Sequence, residues 1–137
     1  MKKLFYLMLV ALSACVSRPT LEVEKWDKVV LSFEGPDSSE DADLNPFTDY
    51  RLLVEFTNGN KTYVVPGFYA ADGNAAETGA SAGNVWKVIF RPDDTGLWTY
   101  KASFRTGRDI AISTIPEDGQ PVYFDGEKGK IRVKPSL

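Results

Sequence analysis

After Cys15 no helical period stands out. Hydrophobic and polar positions alternate in short runs broken by turn residues, the pattern of strands with one buried face. Val29, Leu31 and Phe33 alternate with Lys28, Val30 and Ser32, which predicts a strand over 28–34. Gly35-Pro36 opens a polar loop over 35–49, and Asn45-Pro46 nearly closes it. Strands from Tyr50 to Thr57 and from Lys61 to Val65 flank Asn58-Gly59-Asn60, residues that accept the positive φ of tight hairpins. Pro66-Gly67 breaks the second of them, and the Ala-, Gly- and Ser-rich residues 70–84 read as a long loop. The clearest hairpin follows: Trp86, Val88 and Phe90 alternate before the turn Pro92 to Gly96, and Trp98, Tyr100, Ala102 and Phe104 alternate after it. Ile110, Ile112 and Ile115 suggest a weaker strand; Val122 to Phe124, then Ile131 and Val133, suggest the closing ones. Seven to nine short strands with turns between them predict an all-β fold, an immunoglobulin-like antiparallel β-sandwich.

The first twenty residues have a different character. Lys2 and Lys3 precede the apolar run Leu4 to Ala11, which is too short for the roughly 20 residues that span a bilayer as a helix. This is the pattern of a cleaved signal peptide. Leu12-Ser13-Ala14-Cys15 resembles the bacterial lipobox, in which the cysteine becomes the new N-terminus and carries lipid. The expected organisation is a signal peptide over 1–14, a lipidated tether over 15–20 and one sandwich over 21–137. The expected location is the bacterial cell envelope, extracytoplasmic, with a membrane as partner through the lipid on Cys15.

Composition narrows the chemistry. The 137-residue chain has no histidine, which removes Ser-His-Asp and Cys-His catalysis and His-ligated metals. Its single cysteine allows no internal disulfide. The net charge is −3; loss of Lys2 and Lys3 leaves 14 basic against 19 acidic residues, a poor match for nucleic acid.

Several motifs together resemble one family. They are Trp26, Asn45-Pro46-Phe47, Val65-Pro66-Gly67-Phe68-Tyr69, Asp72-Gly73, Trp86 to Asp93, and Thr95-Gly96-Leu97-Trp98-Thr99-Tyr100. The set is similar to the domain of unknown function 5060 family over roughly residues 22–134. The resemblance implies an immunoglobulin-like domain at the N-terminus of a bacterial protein, usually followed by a (β/α)₈ glycoside-hydrolase-like domain. The chain reaches Leu137 about where that domain would begin, so it is expected to be either an N-terminal piece or a stand-alone accessory domain, and no catalytic residue carries over. Within it, Asp94 to Tyr100 resembles the corner segment of immunoglobulin domains, with Trp98 in the place of the tyrosine and Tyr100 in that of the cysteine.

The expected function is therefore a non-catalytic accessory or spacer domain that docks to or orients a hydrolase domain, with no cofactor. That function predicts an exposed apolar patch on one face. The alternative is a stand-alone carbohydrate-binding module, for which Trp26 and Tyr69 are the candidate glycan-contacting aromatics. The period-two aromatics, Trp86 to Phe104, read as core. Asp41, Asp43 and Asn45 have the spacing that opens a calcium loop, but Pro46 replaces its glycine and Leu52 its bidentate glutamate, so a solvated loop is the main reading. A small glycoside hydrolase is the remote alternative; it needs two convergent carboxylates from Asp72, Glu77, Asp93 and Asp94.

Overall fold

The computed structural model describes residues 18–137. The signal-peptide and lipobox residues, Cys15 among them, lie outside the described residues.

Nine strands form two facing sheets: β1 (Leu21–Glu24), β2 (Val29–Ser39), β3 (Tyr50–Asn58), β4 (Lys61–Pro66), β5 (Phe68–Tyr69), β6 (Ala82–Phe90), β7 (Gly96–Thr106), β8 (Gln120–Pro121) and β9 (Lys128–Lys134). The larger sheet has the order β1-β9-β7-β3-β4, with β8 on the end of β7; the smaller has the order β2-β6-β5. The all-β sandwich is as expected, and one pairing corrects the antiparallel reading: β1 runs parallel to β9, with Leu21 opposite Ile131 and Glu24 opposite Lys134. The sheet is therefore mixed.

The alternating positions meet as the pattern requires. Val54, Phe56, Trp98, Ala102, Phe104 and Ile131 from the larger sheet face Leu31, Phe33, Trp86, Val88 and Phe90 from the smaller one, all nearly or fully buried. Rings lock the sheets together: Phe56 stacks on Phe90 at 4.0 Å, and Trp86 meets Phe104 edge-on at 4.9 Å. The indole N–H of Trp98 donates to the Asp94 carbonyl four residues upstream at 3.0 Å. That is the job of the corner tyrosine's hydroxyl in immunoglobulin domains. Gly129 lets β9 cross Tyr100, because a Cβ there would lie 2.2 Å from the tyrosine hydroxyl.

Several boundaries differ from those expected. Gly35-Pro36 does not end β2. It sits in a bulge between Glu34 and Ser38, where a proline's missing N–H is tolerated, and the strand resumes at Ser38 opposite Gly83. Gly35 leaves room for Trp86, whose ring would lie 2.9 Å from a Cβ. The segment 70–84 contains one helical turn, α1 (Ala75–Thr78), and the start of β6. Ile110–Ile112 is a 3₁₀ turn, which buries Ile110 and leaves Ile112 exposed, where a strand would have put both on one face. Val122 to Phe124 is not a strand; the two-residue β8 precedes it, and Phe124 stacks between Phe33 at 4.7 Å and Phe104 at 4.2 Å.

Candidate functional site

The two aromatics expected to contact a glycan do not share a face. Tyr69 is buried, correcting its reading as a surface residue. It stands directly opposite Trp86, and directly paired residues point to the same side of a sheet. Its hydroxyl donates to the carbonyls of Ser38 and Gly83 at 2.9 and 3.0 Å. Trp26 is 55% exposed, in the turn between β1 and β2, and bonded by its N–H to Pro92. Pro92 lies six residues along the chain from Trp86, about 20 Å in extended backbone, so no single platform holds both rings. Trp26 takes φ 73, rare for a bulky residue. The bonds Lys25 N–H to Lys134, Trp26 N–H to Pro92 and Arg91 Nη1 to the Trp26 carbonyl hold it there.

Two aromatics of the family motifs, Phe47 and Phe68, are exposed. Phe68 points outward because Tyr69 points inward, and Phe47 meets the edge of Tyr69 at 5.8 Å. Phe47 and Phe68 flank a depression of about 280 Å³ with Tyr69 and Trp86 below. The outer face of the small sheet carries an apolar patch: Val30 opposite Ile89, with Phe68 on the next strand, each about 40% or more exposed.

The four carboxylates do not gather at one site; they lie in two local pairs, Asp72 with Glu77 around Asn74 and Asp93 with Asp94 around Lys61. Asp72 accepts hydrogen bonds from Asn74 N–H at 2.9 Å and Thr78 Oγ1 at 2.7 Å, and Glu77 accepts one from Asn74 Nδ2 at 3.1 Å. Asp93 sits at the opposite end of β6, where it accepts from Tyr63 at 2.6 Å and Lys61 at 3.4 Å. Asp94 accepts from the Thr95 N–H at 2.9 Å. Hydrogen bonds to the charged form hold Asp72 and Asp93 below the usual carboxylate range, through Thr78 and Tyr63 above all. A general acid needs the opposite shift.

The calcium-like segment is committed elsewhere. Asn45 Oδ1 accepts the Phe47 N–H at 2.8 Å and its amide donates to the Glu40 carbonyl at 3.1 Å, an Asx turn, while Asp41 and Asp43 lie on the exposed loop around it. No cluster of three acidic, Cys or His ligands forms among the described residues.

Asp49 is the carboxylate with most consequence for the fold. It accepts the Asn45 N–H at 2.8 Å and the Asp109 N–H at 3.1 Å, tying the 40–49 loop to the 3₁₀ turn. These two bonds, Asn45 first, hold its pKa below the ordinary value against the burial that would raise it. A depressed folded pKa means stability that is present above the unfolded value, near 4, and lost as pH falls through the folded one. Urea midpoints measured from neutral pH down to pH 3 are expected to fall less steeply in Asp49→Asn than in the parent; equal slopes would remove Asp49 from the acid response.

A two-sheet sandwich of this topology places the chain among immunoglobulin-like domains. It belongs to the domain of unknown function 5060 family, which it matches over residues 22–105. Among solved structures it is similar to a candidate glycoside hydrolase from Bacteroides vulgatus ATCC 8482, with 27% identity and a TM-score of 0.56. The match covers 86% of this chain and 17% of that one. Comparison with curated proteins finds no match.

Proposed function

We propose that this chain is a lipid-anchored accessory domain that holds and orients a glycoside hydrolase domain at a bacterial surface. The observation that carries the reading is the likeness to a candidate hydrolase of which this domain corresponds to only 17%. The lipobox around Cys15 supplies the anchor. Topology supports the orienting role. Because β1 and β9 are parallel neighbours, the chain joins the sheet from one side and leaves it at the other, so anchor and cargo are held apart by the sandwich. The outward patch of Val30, Ile89 and Phe68 is of the kind that docks against a neighbouring domain. We assign no catalytic residue to the chain.

A second reading, a carbohydrate-binding module, draws on Phe47 and Phe68 flanking their depression. It predicts that a soluble glycan protects these two rings from solvent.

Labelling cells with an alkyne fatty acid tests the anchor. The parent chain is expected to take the label and fractionate with membranes, and Cys15→Ala to lose the label. Equal labelling of the two would overturn the anchored reading.

A further inference from the structure

The outer face of the larger sheet carries an unusual arrangement of charge. Lys101 on β7 stands directly opposite Lys128 on β9, and Lys130, opposite Thr99, follows on the same side. All three are exposed. Like charges set directly opposite each other on paired strands destabilise a sheet. Protection of an edge does not account for Lys101, because β7 is paired there on both sides, with Glu55 and with Lys128, whereas β1 covers β9 only from Ile131 onward. Glu55, opposite Lys101 on β3, is the nearest acidic position in the register. Further along β9, Glu22 pairs with Lys134 at 3.0 Å, and no ion pair among the described residues includes any of the three lysines. A chain of net charge −3 thus concentrates positive charge on one face, where Glu55 is the acidic group set against Lys101 in the same depression.

The tether begins beside that face. Arg18 is bound to the Glu127 carboxylate, adjacent to Lys128, and donates to the Ser32 carbonyl at 2.8 Å. Arg18 and Thr20 line the same shallow depression, of about 450 Å³, as Lys101, Lys128 and Lys130. Only Val16 and Ser17 lie between Cys15 and Arg18, a reach of about 11 Å at full extension. A lipid on Cys15 therefore tethers this face close to the headgroups, where charge attraction is strongest within about a Debye length, roughly 8–10 Å.

From this geometry we infer that the Lys101–Lys128–Lys130 face binds the anionic headgroups of the membrane that holds the anchor, so that the sandwich lies on its larger sheet. The acidic remainder of the domain is repelled and faces away. The exit at Lys134 then points along the surface, which keeps a following domain close to it. The inference rests on the anchored reading for its biological setting, but the surface itself can be tested without the lipid.

The test uses the chain without residues 1–14 and with Cys15→Ser. Among the described residues every core residue lies between Val23 and Val133, well clear of this deletion. Its binding to phosphatidylcholine vesicles, with and without phosphatidylglycerol, is measured by co-sedimentation at low and physiological salt. Binding is expected only with phosphatidylglycerol, and to weaken with salt. Lys101→Gln/Lys128→Gln/Lys130→Gln is expected to weaken it on the order of a hundredfold, roughly fivefold per lysine. The corresponding triple Lys→Arg variant is expected to retain it, and thermal melts check that both variants fold. Absence of binding, or equal binding by the triple Gln variant, would overturn the inference. So would binding to polygalacturonate but not to vesicles, which would make the face a site for acidic polysaccharide. A parent chain that takes no fatty-acid label, with vesicle binding intact, would instead remove the anchored reading and leave the surface standing.

Discussion

Trp98→Ala is expected to destabilise the domain by about 3–5 kcal/mol, the usual range for deleting a buried aromatic. Trp98 has no exposed surface. It meets Phe90 edge-on at 5.2 Å and stacks on Tyr63 at 6.0 Å, so its loss opens a void between three strands. It also removes the donor to the Asp94 carbonyl, which fixes the turn between β6 and β7. Against a total stability of about 5–15 kcal/mol for a domain, this change leaves little margin. Trp98→Phe separates the two contributions. It keeps most of the ring, loses the hydrogen bond, and is expected to cost clearly less. Urea unfolding with an unchanged m-value would report both effects. A shift below about 1 kcal/mol for Trp98→Ala would mean that the corner contributes little.

The second large effect concerns two arginines that look like surface residues in the sequence. Arg51 and Arg105 are cross-strand partners on β3 and β7. Arg51 donates to the carbonyls of Ser113, Ile115 and Pro116 at 3.0, 3.1 and 2.9 Å. Arg105 donates to those of Asp118, Glu117 and Gly119 at 2.7, 2.8 and 2.9 Å. The irregular segment 113–119 is thus wrapped around a pair of guanidinium groups, in place of strand pairing. A lysine offers a point charge and cannot reproduce the fork. Arg51→Lys/Arg105→Lys is expected to lose about two hydrogen bonds at each site, roughly 2–6 kcal/mol in all at the usual net value. Limited proteolysis is expected to cut between 107 and 119 before the rest of the chain opens. An unchanged cleavage pattern would contradict the pinning role.

The parts of the fold legible in the sequence were those in which neighbouring residues decide the outcome. The stripes Trp86–Val88–Phe90 and Trp98–Tyr100–Ala102–Phe104 report a buried face by period alone, and Asn58-Gly59 reports its own turn. What escaped depends on distant partners. Gly35-Pro36 reads as a loop opener until Trp86 is seen to need the space over Gly35. Ile110 and Ile112 have strand spacing, yet the bond from the Asp109 N–H to Asp49 sets up a 3₁₀ turn instead. Tyr69 turns inward and Phe68 outward because the pairing of Tyr69 with Trp86 decides the faces. The opposition of Lys101 and Lys128 exists only through strand register, which no local pattern encodes. The polar neighbours of Trp26 suggest a surface position but do not separate an exposed ring from one that plugs the end of the sandwich, and they say nothing of its distance from Tyr69.

The most direct test of the account is to recover the fatty-acid-labelled protein from native membranes with an antibody to the sandwich, and to read its apparent mass and its company. The account predicts a labelled species that carries a glycoside hydrolase domain, either as one band well above the chain's own 15.2 kDa or as a hydrolase that co-purifies with it. A labelled band near 15.2 kDa with no hydrolase in the precipitate would contradict the orienting role.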